Sequence, residues 1–423
     1  MRTIPLDSLD LAEFIRPGDG IVVGQGTSEP IALTQALVAQ RERLGSARLF
    51  FGSGFSDVFT PEASDRLHYS GIGGIGTHRR LTQAGCFNVL PCHISSVSPL
   101  LQSGAIPCDV LLVQVSPPNE RGEYSWSLAN DYLRAALGKA RVVIAEVNAQ
   151  APWTPCDAPL TEAEITVRVN TNRPLLQLPS VPFGDLERRI ATFASQLIPD
   201  RATLQVGIGA IPEAIMAQLK DRRDLGIHSG MIGDSVADLM EAGVVTNACK
   251  EIDQGISVSG TLFGTDRLYR FAHRNTAIRL APTSYTHGGA SLGRLRRLVS
   301  LNSALEVDLS GQVNAEALGS AHIGAVGGQV DFVRAARASE GGASIIALPS
   351  TARGGQESRI VAHLHGPVTT ARSDIDWVIT EHGAVSLAGL GLRQRAQALA
   401  GIADPLHRET LLRTAAELYG SAS

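Results

Sequence analysis

The sequence predicts an α/β fold built from two tandem, related open α/β domains, and three observations predict it. Short apolar, partly β-branched stretches alternate along the chain with amphipathic segments rich in Ala and Leu, the pattern of strands covered by helices. Glycine supplies 43 of 423 residues, above the usual ~7%, so tight backbone turns carry much of the architecture. The first half of the chain is echoed in the second. At about 150 residues per domain the length fits two or three units, and 44% apolar residues are enough to give each a core.

Taken in order, Gly20-Ile21-Val22-Val23-Gly24 is an apolar strand followed by a helix over 31–38. Residues 110–115 and 141–147 are apolar and partly β-branched, as expected of central parallel strands buried on both faces. Leu204-Gln205-Val206-Gly207-Ile208-Gly209, with Pro212 and a helix after it, repeats Ile21-Val22-Val23-Gly24-Gln25-Gly26 with Pro30, at an offset of about 183 residues. Ser229-Gly230 with Asp234 answers Ser53-Gly54 with Asp57, at an offset of about 176. Two related units explain both echoes, one over 1–195 and one over 196–423, joined near Pro199-Asp200.

Lys plus Arg total 37 and Asp plus Glu 41, a net charge of −4. With a pI near 6.3, the chain has no basic excess for gripping a polyphosphate backbone, so nucleic acid is not an expected partner. The longest apolar runs, such as Val110-Leu111-Leu112-Val113, fall far short of the ~20 residues that cross a bilayer, and no membrane partner is expected. The opening Met1-Arg2-Thr3-Ile4-Pro5-Leu6-Asp7 carries no legible secretory signal, which points to the cytoplasm. Cys86, Cys92, Cys108, Cys156 and Cys249 are scattered and odd in number, as reduced thiols are, and no metal site is indicated.

A strand followed by a glycine turn presents backbone N–H groups that can cradle a phosphate or an oxyanion. The stretch from Leu204 to Pro212 has that form, but it lacks the third glycine of a dinucleotide fingerprint and puts Pro where the helix opens. Gly71-Ile72-Gly73-Gly74-Ile75-Gly76 and Gly324-Ala325-Val326-Gly327-Gly328-Gln329 are further glycine-rich turns. Glu29, Glu62, Glu306, Asp308, Glu316, Asp331 and Glu381 lie near expected turns or strand ends, where α/β proteins place their ligands. His228, His287, His363, His365 and His382 titrate near neutral pH unless buried, and a structural role is the default for each. A hydrolase triad built on a nucleophile elbow is not expected.

Six blocks in order resemble the acetyl-CoA hydrolase/transferase family, which contains 4-hydroxybutyrate and butyrate:acetate CoA-transferases. They are Val115-Ser116-Pro117-Pro118-Asn119-Glu120-Arg121-Gly122, Leu204-Gln205-Val206-Gly207-Ile208-Gly209-Ala210-Ile211-Pro212, Val307-Asp308-Leu309-Ser310-Gly311-Gln312-Val313, Val326-Gly327-Gly328-Gln329-Val330-Asp331-Phe332, Ser358-Arg359-Ile360-Val361 and Thr380-Glu381-His382-Gly383. The resemblance covers nearly the whole chain and implies an active site between the two domains. It also implies CoA as substrate, a small carboxylic acid as the second substrate, and a ping-pong exchange through a glutamyl-CoA thioester, with covalent catalysis splitting one difficult step into easier ones. In the transferases that glutamate stands in Gly-Ile-His-Thr-Glu-Met. The matching stretch here is Gly226-Ile227-His228-Ser229-Gly230-Met231, so the nucleophile's position is held by Gly230.

Three readings follow from that departure. The chain is a CoA-transferase drawing a carboxylate from elsewhere, such as Glu29, Glu62 or Glu316, or letting the acceptor acid attack directly. Alternatively water enters and it is an acyl-CoA thioesterase, or it binds CoA without turnover. In the first two, Gln205 is expected to donate to the thioester oxyanion, and Gly207 and Gly209 to allow close backbone approach. Ser229, beside Gly230, is a weaker nucleophile choice with no legible base relay. By resemblance, Gly327, Gly328, Gln329 and Asp331 belong to a loop along the pantetheine of CoA; the planar fork of Arg359 suits a CoA phosphate or an acyl carboxylate, with a structural ion pair as the alternative. A homodimer is compatible with all three readings.

Overall fold

The computed structural model describes residues 1–319 and 321–420. Its first sheet uses eight strands: β1 (Arg2–Thr3), β2 (Gly20–Val23), β3 (Ala47–Phe51), β4 (Leu67–Gly71), β5 (Phe87–Val89), β6 (Val110–Val115), β7 (Val142–Asn148) and β8 (Val167–Thr171). They lie in the order β1-β8-β7-β6-β2-β3-β4-β5 and all pair in parallel. Every residue of β6 and β7 is buried, because helices cover both faces of a parallel sheet, and this is why those stretches read as unbroken apolar runs. The helix Ile31–Leu44 follows β2 and stops at Gly45 (φ 75°), a conformation that a side chain disfavours.

The second sheet uses β9 (Thr203–Val206), β10 (Gly226–Ile232), β11 (Ser257–Leu262), β12 (Ile278–Leu280), β13 (Leu298–Ser303), β14 (Ala343–Ala347), β15 (Trp377–Thr380) and β16 (Gly383–Ser386). Its order is β12-β11-β10-β9-β13-β14-β15-β16, parallel except for the last pair. Setting the edge strands β1 and β16 aside, the two sheets share one topology. From β2, three strands add on one side and β6, β7 and β8 on the other; from β9, three strands add on one side and β13, β14 and β15 on the other. The residue echoes noted in the sequence fall on matching strands, β2 with β9 and the end of β3 with β10. The helix Asp185–Gln196, within the expected 1–195 unit, packs on the second sheet: Ile190, Ala191 and Ala194 share a core with Leu204 and Val299.

The two sheets are joined by more than the linker. Residues 128–131 run beside β11, where the Leu262 amide donates to the Leu128 carbonyl (2.8 Å) and the Asn130 amide to the Gly260 carbonyl (3.0 Å). Leu128 is buried in the second unit's core; its neighbours Trp126, Ala129 and Tyr132 are buried in the first unit's. The Thr27 hydroxyl, just past β2, donates to the Leu262 carbonyl (2.7 Å). Truncating Leu128 removes one side chain from a core it reaches across the boundary. Leu128→Ala should lower stability by about 2–5 kcal/mol, with urea unfolding remaining a single transition; two separated transitions in the native protein would show that the splice does not couple the units.

Candidate active site

In open α/β sheets the crevice at the carboxyl ends of the strands, where strand order reverses, is the ligand site. Here there are two such points, between β2 and β6 and between β9 and β13, and the splice turns them toward one another. They bound a cavity of about 410 Å³, with Gln25, Ser53 and Asp131 from the first unit and Gly207, Gly230 and Asn302 from the second. Apolar side chains, among them Ile72, Ile75, Ile94 and Met231, line much of the rest.

Among the described residues, two ionisable side chains line this cavity, Asp131 and His287. Asp131 Oδ2 accepts from Gln25 Nε2 (2.5 Å), and Oδ1 accepts from the Leu133 amide (3.2 Å). Burial drives its pKa up to about 6 against the pull of those donors. The Gln25 amide also accepts from the Ser53 amide (3.0 Å), so one side chain ties the turns after β2 and β3 to Asp131. His287 follows the short helix Thr283–Thr286, and its Nδ1 shares a hydrogen bond with Thr286 Oγ1 (2.9 Å). Burial, aided by nearby His228, pushes its pKa down to about 3, so the ring is neutral at physiological pH. A Cβ built at Gly230 would lie 2.8 Å from Cε1 and Nε2 of this ring. The imidazole thus takes up the space beside the position where the family's glutamate is expected.

The sequence-predicted residues divide between the cavity and its supports. Gly207, Gly230, Gly327, Gly328 and Gln329 line the cavity, and Gln329 Nε2 donates to Thr370 Oγ1 (3.0 Å). Gly209, at φ 121°, starts the helix Ala210–Ala217 in a backbone conformation suited to glycine. Gln205, expected as the oxyanion donor, does not line the cavity: its Nε2 donates to Asn302 Oδ1 (3.3 Å) and its Oε1 accepts from Asn302 Nδ2 (3.0 Å). At this switch point it is Asn302 that lines the cavity, its amide paired with that of Gln205. Ser229 is turned to β9, where its hydroxyl accepts from the Val206 amide and donates to the Val206 carbonyl, each at 3.2 Å. Asp331 accepts from the Ser95 hydroxyl (2.7 Å) and so ties the helix Gln329–Ala338 to the helix Ile94–Ser103.

None of the alternative carboxylates lines the cavity. Glu29 is buried and accepts from Thr34 Oγ1 (2.9 Å), with burial raising its pKa to about 7. Glu316 accepts from Thr369 Oγ1 (2.7 Å), and Glu62 stands on the exposed turn Pro61–Asp65. Arg359 lines a second, outer cleft of about 980 Å³ that shares Leu305 with the inner cavity. Its guanidinium is half-buried, and that burial lowers its pKa while Glu381 acts the other way.

Asp131, Asn302 and the functional placement of His287 are not marked in the sequence. Asp131 sits in the unremarkable stretch Ala129-Asn130-Asp131-Tyr132, and the strand pairing that brings it to β11 is long-range. Asn302 could have been found as the last residue but one of the strand that begins at Leu298, once β13 is paired with β9 across the repeat.

Comparison with known proteins agrees with this fold. The acetyl-CoA hydrolase/transferase N-terminal domain matches residues 6–167 and the C-terminal domain of the same family matches residues 264–415. The chain is 39% identical over 396 residues to the 4-hydroxybutyrate coenzyme A transferase of Clostridium kluyveri, covering 93% of this chain and 92% of that one. It superposes on RipA from Yersinia pestis with a TM-score of 0.94 at 31% identity, covering 99% of this chain and 98% of that one. For the 4-hydroxybutyrate CoA-transferase of Porphyromonas gingivalis the TM-score is 0.85 at 34% identity, with the same coverage. Among the described residues, no helix is long and apolar enough to cross a membrane.

Glu29 offers a test of the division between cavity and support. Its folded pKa, about 7, exceeds the unfolded value of 4.5, so the folded state holds the proton more tightly. The associated stability is fully present below about pH 4.5 and is lost as pH rises through about 7. Glu29→Gln should therefore gain stability relative to the native protein across that window, by about 3 kcal/mol at its upper end, while turnover persists. A thermal-melting difference that stays flat from pH 4.5 to 8 would contradict it.

Proposed function

The chain belongs to the acetyl-CoA hydrolase/transferase family, and we propose that it moves CoA from an acyl-CoA to a small carboxylic acid by direct attack of the acid, with no glutamyl-CoA intermediate. It is a CoA-transferase, with acyl-CoA as a substrate. The absence of a side chain at Gly230 carries the proposed route, together with the placement of Glu29, Glu62 and Glu316 outside the cavity. Among the described residues Asp131 is the one carboxylate in the lining, and it is held by Gln25 and a backbone amide, which leaves the acceptor acid as the free nucleophile.

In this route a carboxylate oxygen of the acceptor attacks the thioester carbonyl carbon, the C–S bond breaks, and CoA leaves as the thiolate beside a mixed anhydride. The thiolate then attacks the acceptor-derived carbonyl carbon, and the donor acid leaves as its carboxylate. No proton has to move. The Asn302 amide, fixed by Gln205, donates to the oxyanion that forms in each step, which makes Asn302 the catalytic donor and Gln205 its positioning residue. Arg359 in the outer cleft suits a phosphate of CoA, and the turn Gly327-Gly328-Gln329 lets the pantetheine pass close to the backbone on its way to the inner cavity. The volume of that cavity and its Ile-rich lining favour short acyl groups.

Direct attack needs both substrates bound at once. Initial rates measured over a grid of butyryl-CoA and acetate concentrations should give intersecting double-reciprocal lines, and intact-protein mass spectrometry should find no CoA adduct. Parallel lines with an adduct on Asp131 or any other carboxylate would overturn the route. Asn302→Ala should lower kcat by about 100-fold or more, and Gln205→Ala by less, since it loosens the donor without removing it; equal loss in both would return the donor role to Gln205.

A further inference from the structure

At the amino edge of the second sheet, opposite the carboxyl edge that bounds the cavity, the neighbouring parallel strands β10, β9 and β13 begin side by side. Backbone hydrogen bonds pin the residues that lead into them: the Arg201 amide donates to the Arg223 carbonyl (2.9 Å) and the Thr203 amide to the Arg297 carbonyl (3.0 Å). Arg201, Arg223 and Arg297, far apart in sequence, thereby line one pocket of about 530 Å³, completed by Pro199, Asp200 and Asp224. That volume is in the range of small-molecule sites.

Among the described residues, none of the three guanidiniums forms an ion pair or a hydrogen bond, whereas the arginines beside them are committed. Arg222 Nε donates to the Ile198 carbonyl (2.7 Å), and Arg296 Nε pairs with Glu340 (3.3 Å). The two carboxylates of the lining already accept from the protein, Asp200 Oδ1 from the Arg223 amide (2.9 Å) and Asp224 Oδ1 from the Thr246 hydroxyl (3.0 Å). Three guanidiniums against two carboxylates leave the pocket an excess of one positive charge. The backbone is also strained there: Arg201, Asp224 and Arg297 have φ of 66°, 55° and 50°, a left-handed conformation that long side chains disfavour. Strain of this kind persists where the surrounding structure enforces it, and it gathers at ligand clamps.

We propose that this pocket binds a diphosphate-bearing anion, free pyrophosphate or the diphosphate of a nucleotide, separately from the acyl-CoA cavity. A guanidinium fork matches phosphate oxygens two at a time, so three forks offer about six parallel donors, more than the oxygens of a single phosphate. A multiply charged anion is also needed to outweigh the repulsion of Asp200 and Asp224. Gly230 and Asn302 lie toward the far ends of β10 and β13, and Gly207 lies just past β9. Seven residues of β10 at about 3.3 Å each keep the anion clear of the cavity.

The test is calorimetric titration of the purified full chain with sodium pyrophosphate, ADP and orthophosphate, without divalent cations and at ionic strength matched with sodium chloride. Saturable one-site binding of pyrophosphate or ADP is expected, with orthophosphate weaker by about tenfold or more. Equal affinity for pyrophosphate and ADP identifies the diphosphate alone as the ligand, and tighter ADP adds the nucleoside; either supports the proposal. Arg201→Gln, Arg223→Gln and Arg297→Gln should each weaken binding by about tenfold or more, while Arg359→Gln, in the outer cleft, should bind as the native protein does. No saturable binding, orthophosphate as tight as pyrophosphate, native affinity in folded variants of the three arginines, or loss in Arg359→Gln overturns the proposal. Should those variants not fold, the native protein decides it. Pyrophosphate, and not sodium chloride, should slow modification of Arg201, Arg223 and Arg297 by phenylglyoxal, followed by peptide mass spectrometry; unchanged labelling overturns it.

Discussion

The splice of residues 128–131 onto β11 is the constraint on which the site depends. Open α/β sheets bind ligands at the carboxyl edge of the strands, but one such edge is only half a cleft. Here backbone hydrogen bonds from Leu262 to Leu128 and from Asn130 to Gly260 put a piece of the first unit beside the second sheet. Leu128 anchors in one core and Trp126 and Tyr132 in the other. Sliding one unit over the other would expose those side chains and break buried backbone bonds at once, so the two carboxyl edges are held face to face. Asp131 reaches the cavity because it ends this segment.

Around that junction the polar groups are arranged so that few charges enter the cavity. Glu146 is fully buried, but Arg173 Nε meets it at 2.5 Å and the Ala32 amide and Thr171 hydroxyl donate to it as well. The same arginine donates to Gln114 and to the Glu29 carbonyl, stitching together the carboxyl ends of β6, β7 and β8. A buried charge is tolerated when it is paired and hydrogen-bonded in this way. The cavity itself keeps a neutral imidazole and one carboxylate whose burial opposes its charge, surroundings in which a developing oxyanion interacts strongly with a fixed amide.

The relation between position 230 and position 287 is one of volume. A ring and a carboxylate side chain cannot share the space between β10 and Gly328, since even a Cβ at position 230 lies 2.8 Å from the imidazole. Having glycine at both 230 and 328 is what admits the histidine. The imidazole thus fills the neighbourhood of position 230, which is why the proposed route relies on attack by a diffusible oxygen nucleophile.

The α/β class, the two-unit repeat and the family are legible in the linear chain, because each is written in local signals: unbroken apolar runs for strands buried on both faces, glycine turns at matching strand ends, and motif blocks in order. Gly207, Gly230, Gly327 and Gly328, singled out in the sequence, line the cavity, whereas Gly209 does not and Gly260, which carries no local signal, does. Which polar residue lines the cavity depends instead on long-range pairing. Gln205 and Asn302 are about equally polar in sequence, and it is the pairing of β9 with β13 that turns one amide into the support of the other. Ser229 was spent on the backbone of β9, Asp331 on Ser95, and Asp131 and His287 were brought to the same cavity from segments more than a hundred residues apart. Such roles depend on which hydrogen-bond partners long-range pairing leaves free, and a linear order of residues does not contain that.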